Sequence, residues 1–403
     1  MIARQNRSHT APSTRREIHA RRAAMDARNR NALLVLVLPV MVIAKLMVAF
    51  FLPDKYFYDN NRILGMTNVT LGLADSSSMP DWEGSYRVAS DLFAKLNIGR
   101  LDTMLSWSLC LGVLFTLLLM FMILRADAPD LFQSIFILAA VGLLNIYIFT
   151  IGKDIIQFAF FSAVYIVLLV PFDNQLVKIL ASAGILYFES TFFREYYILI
   201  AALILVVYVV LVWFRRRGHL GIGSMLSITV ILFLVVYVAM LSARIIMPDE
   251  YDQMLGLRAG YVTAYGDGAD SATVIQNLIS GDSLLVFMIN YVINAFRMMI
   301  PIELFFRGVY YWPFFIFQLM VTLYMVHLIS QLNRIKEPVL FLALCIYIGY
   351  TLASFVFEPD FGSWVRHESA TFPVLHLLVL NPYQRIPITR EERLLAKEAA
   401  WTV

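Results

Sequence analysis

Five stretches of the chain bring acids and bases to the ends of apolar runs. They contain Tyr56-Phe57-Tyr58-Asp59, Gly152-Lys153-Asp154, Phe193-Arg194-Glu195, Glu303 to Arg307 with Arg297 just before them, and Arg366-His367-Glu368. A charge at membrane depth costs about 2.5–3.5 kcal/mol on insertion scales and is normally turned into a cavity or pathway. Cations spaced around a membrane-edge cavity suit a phosphate or diphosphate headgroup whose lipid tail stays in the bilayer. Neighbouring carboxylates can act as general base for an incoming hydroxyl. Aromatics in the same loops, such as Tyr56, Tyr58, Trp82, Tyr86 and Tyr310, offer flat faces for sugar rings. Each feature has an ordinary alternative: Lys153 as a snorkelling lysine, adjacent opposite charges as salt bridges that neutralise one another, and the aromatics as an interfacial belt.

The elements that must position these residues follow from composition. Of 403 residues, 60% are apolar and only 15% charged, against about 45–50% and 25% in soluble domains. A soluble globule cannot bury so much apolar surface, and 30 Phe with 20 Tyr exclude a disordered chain. The class is an all-α polytopic membrane protein. A net charge of +3, scattered along the chain, gives no reason to expect a nucleic-acid partner. Cys110 and Cys345 lie singly in apolar runs and read as packing residues. Nucleotide, zinc-protease and serine-hydrolase motifs are absent. The acids of 249–282 lack the spacing of a calcium loop. No metal or cofactor is expected.

Arginines crowd the first thirty residues, opposed by Glu17 and Asp26, and an apolar run follows from Asn31 to Leu52. A basic cytoplasmic tail (1–30) and an uncleaved first span are expected. Further runs are 101–124, 131–151, 155–170, 176–190, 196–214, 223–247, 310–330, 338–357 and 365–381. Six crossings return the chain to the cytoplasm at Arg215-Arg216-Arg217, a second cluster that obeys the same positive-inside rule. The run 282–300 carries Asn290, Asn294 and Arg297 as one polar stripe. Reading it as a re-entrant or interfacial helix keeps Arg334 and Lys336 inside. The expectation is therefore ten spans over 31–381 plus that helix, with outer loops 53–100 and 248–281. A second cytoplasmic tail, 382–403, closes the chain, so both termini face the cytoplasm.

In four places the pattern resembles Wzy-type or EpsG-like bacterial polysaccharide polymerases. These are Tyr56 to Asp59, Gly152 to Asp154, Phe193-Arg194-Glu195-Tyr196-Tyr197, and Phe361-Gly362-Ser363-Trp364-Val365-Arg366-His367. The long outer loop with two functional arginines, seen in some of that family, has no copy here, since 248–281 offers only Arg258. The resemblance implies a GT-C-like membrane glycosyltransferase of the bacterial cytoplasmic membrane. It would join repeat units carried on undecaprenyl diphosphate at the outer face, in exopolysaccharide, capsule or O-antigen synthesis, with other polysaccharide-assembly proteins as further partners. Lys153, Arg194 and Arg366 would then hold the outgoing diphosphate, joined by His367, Arg297 and Glu303. Asp59 first, and Asp154 or Glu195 next, would orient or deprotonate the acceptor hydroxyl. The rival readings are a single-sugar transferase with a polyprenyl-phosphate donor, and a flippase or transporter for the same lipid.

Overall fold

A computed structural model describes residues 15–75, 77, 80–216, 221–246, 248, 251, 252, 256, 273–281, 283–386, 393 and 394. Arg4, Arg7, Arg217, Arg258 and the acids at 249, 250, 267, 270 and 282 lie outside the described residues. The described chain is almost entirely helical. Among the described residues, seven helices are long and apolar enough to cross a membrane.

The first helix, α1 (Arg15–Phe50), runs 36 residues without a break. At 1.5 Å per residue that is about 54 Å, well beyond a hydrocarbon core of about 30 Å. The helix thus begins inside the basic segment expected to be a tail. The expected outer loop 53–100 folds into a helical hairpin, α2 (Tyr58–Thr70) and α3 (Ser85–Leu96), which pack on each other. Then come α4 (Met104–Arg125) and α5 (Leu131–Leu143), the latter running into a π turn at Leu144–Ile148. Two shorter helices follow, α6 (Lys153–Leu169) and α7 (Gln175–Ser190), of 17 and 16 residues. Next are α8 (Tyr197–Arg215), α9 (Ile222–Ile246) and α10 (Leu284–Met299). The short α11 (Ile302–Phe306) leads to α12 (Trp312–Ser330) and α13 (Pro338–Phe357).

The run 365–381, expected as one last span, is two helices. Its first part belongs to α14 (Phe361–Ala370), and Thr371 joins this to α15 (Phe372–Val379). Pro373 has no N–H to continue the earlier helix and is tolerated only in a first turn. The Thr371 hydroxyl meanwhile donates to the Glu368 carbonyl at 2.7 Å. Residues 372–380 are nearly all buried, and α15 packs against α6 and α13. α13 is itself buried along nearly its whole length. These two elements are apolar all round because protein surrounds them.

The helix ends gather into two groups. At one end Asn29 donates to the Pro129 carbonyl (3.2 Å), Arg30 to Ala126 (3.1 Å) and Arg215 to Ile335, while Arg385 pairs with Asp26 at 3.3 Å. Arg30, Arg215, Arg334, Lys336 and Arg385, the expected inner cations, therefore share that end. The opposite end holds α2, α3, the N-termini of α6, α8 and α14, and the C-termini of α7 and α13. Both flanks of α10 lie at this second end. Ile275 N donates to the Pro359 carbonyl (2.9 Å), and Arg297 donates to the Gln276 carbonyl (2.7 Å) while pairing with Glu303 beyond the helix (2.5 Å).

Candidate functional site

Four helix termini and one loop place charged residues together at the end opposite the arginine-rich one. Asp59 sits in the first turn of α2, where a carboxylate suits the positive end of the helix dipole. Lys153 and Asp154 open α6. Arg194 lies in the turn between α7 and α8, shaped by Phe193 N donating to the Glu189 carbonyl (3.1 Å) and Tyr197 N to the Arg194 carbonyl (3.0 Å). Arg366 and His367 are on α14, whose cap Asp360 accepts from Ser363 N at 2.8 Å. Glu358 ends α13.

Asp154 is the hub. Its Oδ1 lies 2.9 Å from an Arg194 terminal nitrogen and 3.2 Å from His367 Nε2, and its Oδ2 lies 2.9 Å from Arg366 Nε. His367 turns its other nitrogen to Glu358 Oε1 at 2.7 Å. Facing a carboxylate with each ring nitrogen is the arrangement of a doubly protonated imidazole. Gln157, one turn along α6 from Asp154, accepts from Arg194 (2.8 Å) and donates to the His367 carbonyl (2.9 Å). This inner half is closed: the side chains of Asp154 and Arg194 are 9% and 6% exposed.

The outer half is open. Asp59 Oδ2 lies 3.3 Å from Lys153 Nζ and 3.8 Å from Arg366, with the Asp59 and Arg366 side chains 28% and 21% exposed. The Tyr86 hydroxyl of α3 donates to Asp59 Oδ1 at 2.6 Å, and Lys153 stands 3.8 Å over the Tyr86 ring. Burial pushes the Asp59 carboxyl up, but Lys153, Arg366 and the Tyr86 hydrogen bond outweigh it and hold the group below the ordinary aspartate range. Burial and the neighbouring Asp59 charge push the Tyr86 phenol up, so it remains a donor. Arg366 is held by charge alone. Its guanidinium forms ion pairs but no hydrogen bond among the described residues, and its Nε–H is not aimed at the nearby Asp154 oxygen.

Beside this outer half stands a group of tyrosines. Tyr56 stacks on Tyr310 with ring centroids 5.5 Å apart, and the Tyr310 and Tyr147 hydroxyls are 3.4 Å apart. On α2 itself, the Arg62 guanidinium stands over the rings of Tyr58 and Trp82 at 3.8 and 3.7 Å.

Six of the nine residues singled out from the sequence thus meet: Asp59, Lys153, Asp154, Arg194, Arg366 and His367. Three do not. Glu195 is exposed and takes no part in these contacts; its neighbour Arg194 turns inward to Asp154 instead. Arg297 and Glu303 pair with each other, Glu303 also lying 3.8 Å from Arg307, and Arg297 donates to Asn294 at 2.8 Å. Sequence reading missed Gln157 and Glu358 as partners. The first was legible as the polar residue three places from Asp154 on the same helix face. Compared with known proteins, the chain matches no family model, no curated protein and no solved structure.

Proposed function

We propose that the open half of this cluster holds the diphosphate of a lipid-linked oligosaccharide and that the chain joins such oligosaccharides into a polysaccharide. On this reading it is a GT-C-like polymerase of undecaprenyl-diphosphate-linked repeat units, acting at the outer face of the bacterial cytoplasmic membrane. Ten helical passages, with α10 re-entrant, would place the cluster there by the positive-inside rule. The observation that carries the reading is Arg366: a partly exposed guanidinium beside Lys153, at a membrane-edge helix end, which forms ion pairs but no side-chain hydrogen bond among the described residues. Such a fork matches the paired oxygens of a phosphate group.

In the reaction the acceptor hydroxyl oxygen attacks the anomeric carbon of the donor sugar. The bond from that carbon to the diphosphate oxygen breaks, and the diphosphate leaves with the electron pair, its charge met by Arg366 and Lys153. Asp59 accepts the hydroxyl proton. While paired with two cations Asp59 is a weak base. A bound diphosphate competes for those cations and so raises its basicity where the acceptor arrives. Arg194, buried and committed to Asp154 and Gln157, acts by holding Asp154 in place rather than by touching the lipid. Tyr56, Tyr147 and Tyr310 border the space a sugar ring would fill.

The test is a growing-chain assay on the purified protein, using a lipid-diphosphate oligosaccharide isolated from cells that lack it. A ladder of products is the expected outcome, lost in Arg366→Ala. A single added sugar favours the single-sugar transferase, and the absence of any product with this substrate sinks the assignment.

A further inference from the structure

Lys45 lies well inside α1, in the apolar run, and has no acidic partner among the described residues. It is buried, and its ammonium donates to Ser108 Oγ (2.9 Å), the Asn145 carbonyl (2.6 Å) and the Phe149 carbonyl (3.1 Å). The Asn145 carbonyl is available for a definite reason. In the π turn Phe149 N reaches back five residues to the Leu144 carbonyl (2.7 Å), and Thr150 N turns to Ile148 (2.8 Å). Neither backbone N–H that could serve Asn145 does so, and an unserved carbonyl inside a membrane needs another donor.

The space around Lys45 is shaped to admit it. Ser108, Gly112 and Thr116 fall on one stripe of α4 at intervals of four. Ser108 binds the ammonium, Thr116 binds the Asn145 side chain (3.0 Å), and a β-carbon at Gly112 would collide with Lys45 Cε and stand 2.7 Å from its Nζ. On its far side the same stretch of backbone is held by Asn60, the residue after Asp59, whose amide donates to the Ile151 carbonyl at 2.7 Å. Gly152 lets Asn60 approach, because a β-carbon there would collide with the Asn60 amide nitrogen. The next two residues are Lys153 and Asp154.

We propose that Lys45 is a positioning residue: from within the first span it pins the backbone of the π turn and thereby delivers Lys153 and Asp154 to Asp59 and Arg366. Lys45 and Asn60 hold the strap at residues 149 and 151, two anchors on different helices, and this sets where α6 begins. π turns often occur at functional sites, where they re-aim the chain. Its bearing on lipid binding rests on the diphosphate reading above, whereas the placement of Lys153 and Asp154 does not.

The experiment compares the full chain in lipid nanodiscs as wild type, Lys45→Met and Gly112→Ala. Methionine keeps the volume and removes the donors, while alanine at 112 displaces the ammonium without touching Lys45. Hydrogen exchange of 149–154 is expected to rise in both variants. Affinity of the folded protein for undecaprenyl diphosphate is expected to fall by about tenfold, beyond whatever the carbonyls left unserved take from the thermal unfolding midpoint. A merely structural lysine would lower the midpoint and leave the affinity of the folded protein alone. Exchange at 149–154 equal to wild type in both variants overturns the proposal, as does unchanged affinity in variants of a wild type that binds. A wild type that does not bind the lipid removes the diphosphate reading instead, and the exchange measurement then decides on Lys45 alone.

Discussion

Asp59 and Asp154 both contact Arg366, but they answer to different physics. Asp154 is closed in with Arg194, Arg366 and His367 around it. Replacing it by Asn leaves buried cations uncompensated, a loss of about 3–5 kcal/mol when one partner of a buried pair is removed. Asp154→Asn is expected to lower the unfolding midpoint sharply and to reduce the yield of folded protein. Asp59 is partly open to water, where ion pairs contribute about 0–1 kcal/mol. Asp59→Asn is therefore expected to fold nearly as wild type and to lose product in the growing-chain assay, so the two variants separate fold from chemistry. The sign of the pH effect follows from the lowered Asp59 carboxyl. A depressed carboxylate contributes stability above its unfolded value of about 3.9 and loses it as pH falls through the lower folded value. The stability difference between wild type and Asp59→Asn should be flat from neutral pH to about pH 5 and shrink in acid. A difference that instead grew on acidification would show that Asp59 is not held as an anion.

At the scale of elements, the same two acids depend on how α6 begins. The π turn carries one residue more than an α turn would. Removing one of its residues, for example Ile146, would let the turn close as α-helix, return the Asn145 carbonyl to the helix ladder and away from Lys45, and release the stretch that leads to Lys153. Lys153 and Asp154 would then leave Asp59 and Arg366, and lipid binding and activity are expected to vanish together. Gly152→Ala is a gentler version. Gly152 is extended, at φ 170°, so alanine strains no backbone. It pushes Asn60 aside and breaks the Asn60–Ile151 hydrogen bond, and faster exchange around 151–153 is the measurable result. These local devices mark where sequence reading stops. Lys153-Asp154 at the end of an apolar run is visible from charge and hydropathy, as are the Arg194 and Arg366 stretches. The π turn leaves no periodic signature in Leu144–Ile148, and Lys45 is a single lysine in a run otherwise readable as an ordinary span. The break at Thr371 lies within a run that hydropathy alone joins into one piece, although Pro373 marks it. Glu195 shows the converse limit. Its charge is as visible as that of Arg194, but which of two adjacent residues turns inward depends on the turn geometry after α7.

For the whole molecule, the clearest pattern is that cations expected from loop composition to lie inside gather at one end and the candidate site at the other. Arg30, Arg215 and Arg385 tie helix ends together through backbone carbonyls, so this end is held by interactions as well as marked by charge. That these cations share one end was legible because it needs only apolar length and the sign of the connecting loops. The meeting of Asp59 with Arg366, some three hundred residues apart, was not, because no local pattern encodes which helix ends are neighbours. The arrangement makes orientation testable without reference to activity. With Cys110 replaced by Ser, single cysteines at Arg100 and Glu195 report on the site end, and one at Lys336 reports on the opposite end; all three positions are exposed. Cys345 is buried and serves as a silent background. In intact cells an impermeant thiol reagent is expected to label the first two and spare the third until the membrane is opened. The reverse pattern would put the cluster in the cytoplasm, away from any lipid-linked substrate already carried across. Labelling of Arg100 and Lys336 from the same side would mean that the two gathered ends do not face opposite sides of the membrane.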